Sequence, residues 1–434
     1  MTLVVIFDLL ILIILLTLGL PLSLCFGGAL LFITLFARIN MISLLVWGFN
    51  QMTSPVLLIL PLFVLAGGIM SESGIARSLL DFINAFIGRI KGGLGIVAIV
   101  ACAIIGAISG SGATGIAAIG PILIPSMAKE KYPRGYASAL ITCSSLLGLL
   151  IPPSTIMILY GWVTGTSILA CFLSTVGPGL LIILTFSIIN LLSARTMPLL
   201  TEPPINFKQR RNKILVSTWK AIPALSMPFI ILGGIYGGVF TPTEAAAVAV
   251  VISLPIGFYI YRALKVKNLY KIAIESSTIV GALMIMIFIA LMLSQTFVML
   301  QIPQALVKLM FNVTASKYLI LFMINIFLFI IGMLINDATG MILAAPLLLP
   351  LVKELGIHPI HFAAIMGTNL AMGAVTPPYA SALYLGMRIG KVDFKEIFIP
   401  AMKFTIFGYL PVVFLTTYWP ELSLFLPRLM GFIR

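Results

Sequence analysis

Two short polar stretches stand inside the most apolar parts of this 434-residue chain. One reads Ser109-Gly110-Ser111-Gly112-Ala113-Thr114, the other Asn336-Asp337-Ala338-Thr339. Side-chain oxygens of Ser, Thr, Asn and Asp, joined by the carbonyls of a turn, make a hard oxygen cage. Such a cage suits Na+ or a proton relay, not zinc. Asp337 is the sharpest single residue, because an ionisable group at membrane depth is costly and is a functional hypothesis by default. The competing readings are that the small residues let helices pack closely, and that Asp337 is neutral or caps a helix.

The two stretches belong to a duplication. Gly-Ala-Thr-Gly at 112–115 leads to Pro121, Pro125, Gly148, Pro152-Pro153 and Gly161. Asp-Ala-Thr-Gly at 337–340 leads to Pro346, Pro350, Gly373, Pro377-Pro378 and Gly386, at a constant offset of 225. Proline lacks an N–H and clashes with the preceding turn, so Pro152-Pro153 and Pro377-Pro378 predict broken helices. Each break frees carbonyls and presents helix ends with partial charge. Ser144-Ser145 and Thr368-Asn369 stand just upstream of the breaks. A polar tip facing a broken span assembles one oxygen-rich site per repeat. Interrupted apolar segments at matching places in two halves point to a transporter's binding site.

Composition says what carries these sites. The chain is 61% hydrophobic and 9% charged, with a mean hydropathy of +1.19. A soluble domain carries roughly a quarter charged residues, so this is an all-α polytopic membrane protein. The apolar runs lack the alternation of a membrane barrel. The first run, 3–20, reads as a retained helix and not as a removed signal peptide. A net charge of +14 is better explained by positive-inside bias than by nucleic acid. Cys25, Cys102, Cys143 and Cys171 sit in apolar runs and read as small hydrophobes.

The predicted spans are 3–20, 22–37, 55–71, 136–165 (broken), 168–193, 222–239, 242–261, 272–300, 359–388 (broken) and 395–420. Stretches 39–53, 74–91 and 303–316 read as interfacial or linking helices. The polar stretch 194–220 is basic and is expected in the cytoplasm. On this layout 18 of the 26 Lys and Arg fall on that side, Arg89 among them. Segments 93–128 and 318–355 each hold two arms too short for a full span of about 20 residues. They read as re-entrant hairpins. Five crossings separate them, so they enter from opposite faces and the duplication is an inverted repeat. The resulting division is 1–60 (scaffold helices and interfacial arm), 61–193 (first repeat), 194–271 (cytoplasmic loop and connecting spans), 272–420 (second repeat) and 421–434 (tail).

Enzymatic constellations are missing. The only two histidines, His358 and His361, lie together in what reads as an interfacial loop. No His base stands near a deep Ser, and no Walker motif supplies ATP chemistry. An intramembrane enzyme is therefore disfavoured, and a stand-alone ion-coupled organic-anion antiporter or exporter of the same architecture is the nearer rival.

Ser-Gly-Ser-Gly-Ala-Thr-Gly-Ile-Ala-Ala-Ile-Gly-Pro (109–121), Gly-Gly-Val-Phe-Thr-Pro-Thr-Glu-Ala-Ala-Ala (237–247), Asn-Asp-Ala-Thr-Gly-Met (336–341) and Val-Thr-Pro-Pro-Tyr (375–379) carry a further message. Over essentially its whole length the chain resembles the large membrane subunit of TRAP (tripartite ATP-independent periplasmic) transporters. The resemblance implies an elevator-type, Na+-coupled importer of organic acids, of the C4-dicarboxylate or sialic acid type, in a bacterial inner membrane. It implies a periplasmic substrate-binding protein and a small four-helix membrane subunit, expected here as a separate polypeptide. It implies Na+ as the coupling ion, and no organic cofactor. The family's cation-site pattern maps onto Ser109, Ser111, Gly112, Ser144 and Ser145 in the first half. In the second half it maps onto Asn336, Asp337, Thr339, Gly373 and Thr376. Ser154 and Thr155 are the substrate candidates.

Overall fold

The computed structural model describes residues 2–87, 90–200 and 206–433, and helices dominate them. The first helices are α1 (Thr2–Thr17), α2 (Leu22–Phe36) and α3 (Met41–Met52). A 3-10 turn, Pro55–Leu58, leads into α4 (Ile59–Glu72), and α5 (Ile75–Ile87) follows. The first hairpin is α6 (Gly93–Ser109) and α7 (Gly112–Lys129). The broken span comes next, as α8 (Arg134–Ser145), a 3-10 turn Leu146–Leu149, and α9 (Thr155–Thr164). Then run α10 (Ile168–Thr196), α11 (Phe207–Tyr236), α12 (Pro242–Pro255) with a π-helical turn Ile256–Ile260, α13 (Val266–Met299) and α14 (Ile302–Val313). The second hairpin is α15 (Lys317–Leu334) and α16 (Asp337–Glu354), and its broken span is α17 (Pro359–Gly373) and α18 (Ser381–Gly390). The chain closes with α19 (Phe394–Phe404), a π-helical turn Thr405–Tyr409, α20 (Leu410–Tyr418) and α21 (Glu421–Leu429).

Local chemistry sets these boundaries. Asn40 opens α3 by accepting the amides of Ile42 and Ser43. The Thr-Pro-Thr-Glu stretch at 241–244 is a capping box. Glu244 takes the Thr241 amide at 2.7 Å, Thr241 takes the Glu244 amide at 3.3 Å, and Pro242 fills the first helical position. Seven helical runs among the described residues are long and apolar enough to cross a membrane. Large apolar side chains cover the exterior, with Phe229 76% exposed. That surface suits lipid, since hydrocarbon and not water must solvate it.

The duplication is visible element by element. Moved by 225 residues, α7 falls on α16 at both ends, and α8 starts where α17 starts. Contacts exchange in the same way. The second arm α7 packs on α18, while its counterpart α16 packs on α9. Likewise α10 packs on α17 and α19 on α8. The halves are therefore interlocked.

Several expectations need correction. The polar stretch 194–220 is not a loop throughout. α11 begins at Phe207, behind a capping box formed by Asn206 and Gln209, and runs straight into the apolar span. Residues 201–205 of that stretch, Glu202 among them, and Arg89 lie outside the described residues. The stretch 421–434 is not merely a tail, because α21 packs on α10 and α17. His361 is not a loop residue either. It sits in the first turn of α17, buried, with Nδ1 2.6 Å from the Ser423 hydroxyl. Only His358 is at the loop, where it caps α17. The four cysteines are free and buried, as their apolar settings suggest.

Candidate functional site

Tip one is a tight turn held from several sides. α6 ends on Gly110, whose φ of +65° is the left-handed conformation glycine adopts without strain. Ser111 is extended and opens α7 without using its side chain as a cap. Ser109 is buried and its hydroxyl points to the Ser111 carbonyl at 3.4 Å. Thr155, the first residue of α9, donates both its hydroxyl (2.9 Å) and its amide (3.2 Å) to the Gly110 carbonyl. The tip is thus latched to the far half of its own broken span.

The near half approaches just as closely. A Cβ on Gly106 would collide with the α-carbon of Gly148. A Cβ on Gly148 would lie 3.0 Å from the Ser111 carbonyl oxygen, and one on Gly112 would lie 3.4 Å from the Ser145 carbonyl oxygen. Gly115 faces Ser145 in the same way, at 3.0 Å from its hydroxyl. Ser145 donates to the Ile141 carbonyl at 2.7 Å. The neighbouring Ser144 hydroxyl is buried and has no hydrogen-bond partner. The structure therefore brings Ser109, Ser111, Gly112 and Ser145 around one turn, with Ser144 adjacent in α8.

Tip two uses different chemistry for the same bend. Asn336 is extended and caps α16, its side chain accepting the Ala338 amide at 3.1 Å. Asp337 is then the first residue of α16. The Thr339 hydroxyl is fully buried and unpartnered. Gly373 closes on Gly332 of α15, and a Cβ on Gly332 would lie 3.1 Å from the Gly373 α-carbon. The Gly373 carbonyl accepts the Thr376 amide at 2.8 Å, and the Thr376 hydroxyl returns to the Met372 carbonyl at 2.9 Å. From the break, the Tyr379 amide reaches the Met333 carbonyl at 3.1 Å. Both proline pairs are in the cis form.

Both tips open onto one cavity of about 560 Å³. Ser111 and Gly112 line it from tip one, Asn336 and Asp337 from tip two, and Thr155 from the first break. Ser154 does not line it: its hydroxyl is buried on the Leu149 carbonyl at 2.6 Å. The opposite wall comes from α4 and α13, which the sequence reading did not assign to the site. Gly67 and Gly68 line the cavity where α4 passes close to Thr114 and Ile272, and Glu72, Asn268, Lys271 and Glu275 also line it. Asn268 donates to Glu72 at 3.3 Å, and Lys271 pairs with Glu275 at 3.6 Å. The Lys271–Glu275 pair is exposed, so it is worth little to stability. The available signal was the presence of charged residues in runs otherwise apolar.

A second unassigned feature lies behind tip two. Asn369 donates to Asn325 at 2.8 Å, Asn325 to Thr417 at 3.0 Å, and the Thr417 carbonyl lies 3.4 Å from His361. The Asn369 side-chain oxygen ends this buried chain without a partner. Among the described residues no three His, Cys, Asp or Glu side chains cluster as metal ligands. The donors at both tips are instead hydroxyls, amides, carbonyls and one carboxylate.

Two helical hairpins facing two broken helices around a shared cavity, in a chain of membrane-spanning length, define a multi-pass membrane transporter. The model of the DctM component of the tripartite ATP-independent periplasmic transporter family matches residues 9–422, and the chain belongs to that family. It is a permease component of a tripartite system, not an enzyme. The chain is 35% identical to the C4-dicarboxylate TRAP transporter large permease protein DctM of Pseudomonas aeruginosa, covering 94% of each. It is 32% identical to the ectoine TRAP transporter large permease protein TeaC of Halomonas elongata, covering 87% of this chain and 86% of that one. In fold it is similar to the YdaH transporter of Alcanivorax borkumensis, with a TM-score of 0.58 at 14% identity over 87% of each chain.

Proposed function

We propose that the chain is the transport subunit of a Na+-coupled secondary importer working by an elevator motion in a bacterial inner membrane. Residues 61–193 and 272–420 carry the site as inverted repeats. Residues 1–60 and 194–271 form the static scaffold, and α4 and α13, which face the tips across the cavity, belong with it although they extend past those bounds. The single observation that carries this reading is that both polar tips, each set against its own broken helix, face one cavity whose other wall is continuous helix. One side of the cavity can then move against the other.

The donor set fits Na+. Buried, unpartnered hydroxyls at Ser144 and Thr339 are hard oxygens without a hydrogen-bond partner, and buried polar groups are rarely left so. Ser109, Ser111, Gly112, Ser144 and Ser145 would hold one ion. Asn336, Asp337, Thr339, Gly373 and Thr376 would hold another. Thr155 reaches the cavity and is the better substrate contact of the two candidates. The substrate is an organic acid such as a C4-dicarboxylate or sialic acid. The name of the ectoine relative adds a small zwitterion to the compounds worth assaying. A periplasmic binding protein would deliver the substrate, and a separate small four-helix subunit would dock on the apolar surface of α1, α2 and α3.

Uptake into proteoliposomes tests the reading, with and without Na+, binding protein and small subunit. Na+-dependent accumulation that requires all components supports it. Accumulation indifferent to a Na+ gradient would refute the coupling.

A further inference from the structure

We propose that Tyr409 is a positioning residue for the first-repeat cation site, acting through the carbonyl of Cys143; this rests on the Na+ reading above. Tyr409 is fully buried, and its hydroxyl donates to the Cys143 carbonyl oxygen at 2.9 Å. Cys143 is the residue before Ser144-Ser145, where α8 stops and the chain tightens into the 3-10 turn Leu146–Leu149. At such a transition the regular hydrogen-bond ladder changes step, and carbonyls near the helix end turn to other donors. The tyrosine hydroxyl anchors the Cys143 carbonyl. The Ser145 carbonyl is the one turned toward Gly112 of tip one. Tyr409 therefore fixes the rotation of the helix end that presents Ser144 and Ser145.

The way Tyr409 is delivered supports this role. It closes the π-helical turn Thr405–Tyr409, an insertion that re-aims side chains and is frequent at functional sites. Its ring sits edge-on to Phe186 of α10, with centroids 5.1 Å apart. The duplication does not account for it. At an offset of 225, or 226 once the π insertion is counted, its counterpart is Leu184 or Ile183 on regular α10, and neither carries a hydroxyl. The second-repeat site thus lacks this clamp, and the device serves one site only.

The test is Tyr409→Phe, which keeps the ring and removes the donor. Tyr160→Phe is the control. The Tyr160 hydroxyl also donates across the repeats, to the Pro359 carbonyl at 2.7 Å, but it acts at the end of α17 remote from Gly373. Uptake is measured against Na+ concentration, and against substrate at saturating Na+, together with the melting temperature. Tyr409→Phe should raise the Na+ concentration for half-maximal uptake about three- to tenfold, the range of one neutral hydrogen bond. Substrate half-saturation at saturating Na+ should not move. Tyr160→Phe should leave the Na+ dependence unchanged even where it lowers the melting temperature. 4-Aminophenylalanine at position 409 keeps a donor in place and should bring the Na+ dependence back toward wild type. If the phenylalanine protein does not fold, 4-fluorophenylalanine at position 409, which refills the hydroxyl's place without a donor, is the test variant and should show the same raised Na+ requirement. Equal Na+ dependence in Tyr409→Phe and in a Na+-dependent wild type would overturn the proposal alone. A wild type indifferent to Na+ would overturn it together with the coupling it rests on.

Discussion

Thr155 spends two donors on a single acceptor, with both its hydroxyl and its amide closing on the Gly110 carbonyl. Tip two has one corresponding bond, from the Tyr379 amide to the Met333 carbonyl. Tip one is therefore the more firmly held of the two. Thr155→Val keeps the shape and the amide bond and removes the hydroxyl bond. It should cost about 1 kcal/mol of stability and increase labelling of a cysteine placed at Ser111. Unchanged labelling would mean that the amide alone suffices.

At tip two Asn336 caps α16, and Asp337 brings a carboxylate to the same helix end. Asp337→Asn should raise the Na+ concentration for half-maximal uptake roughly ten- to hundredfold, since losing a charged partner costs about 1.5–3 kcal/mol. Ser111→Ala removes a neutral oxygen at the other tip and should act more mildly. Uptake titrated with Na+ reads both. If Asp337→Asn titrates like wild type, the cation is not bound there.

The glycine crossings set a steric limit. Gly148→Ala places a Cβ 2.8 Å from the Gly106 α-carbon and 3.0 Å from the Ser111 carbonyl. Backbone cannot swing aside as a side chain can, so the change should cost about 1–3 kcal/mol or more and abolish uptake. Gly27→Ala, in α2 with nothing within 4 Å, should be neutral or stabilising by about 0.5–1 kcal/mol. Melting temperatures and uptake of the two variants provide the comparison.

His358 gives a pH dependence of predictable sign. Its Nδ1 accepts the Ile360 amide at 3.2 Å, which requires a neutral ring nitrogen. Burial, and then the charge of Arg428, hold its pKa below the ordinary value of 6.5. With the folded-state pKa depressed, the stabilisation is complete above the unfolded value and is lost as pH falls through the folded one. The melting temperature of wild type should drop as pH falls below about 6.5, and His358→Asn, which keeps a capping oxygen, should make that drop shallower. Parallel curves would remove His358 as the source.

The hairpins, the breaks and the tip residues were legible because proline and glycine act locally and because the chain repeats them at a fixed offset. Legibility ended where long-range contact decides the outcome. That Gly106 meets Gly148, or that Asn369 reaches Thr417 through Asn325, depends on helix crossings that no local pattern encodes. The α4 and α13 wall was missed because an apolar run reads alike whether it faces lipid or a cavity. The length of α11 was missed because the end of a helix in water looks polar, as a loop does. His361 was misplaced because its partner Ser423 is distant in sequence.

The exchanged packing of α7 on α18 and α16 on α9 bears on how the chain comes to be folded at all. Each half presents a groove that only the other half fills, much as two subunits fill one another in a swapped dimer. A chain cut between α10 and α11 should leave two fragments that are separately unstable and that recover uptake only when produced in the same membrane. Synthesis is then a problem of timing, because the first half must wait in the bilayer, incomplete, until the last helices of the second arrive.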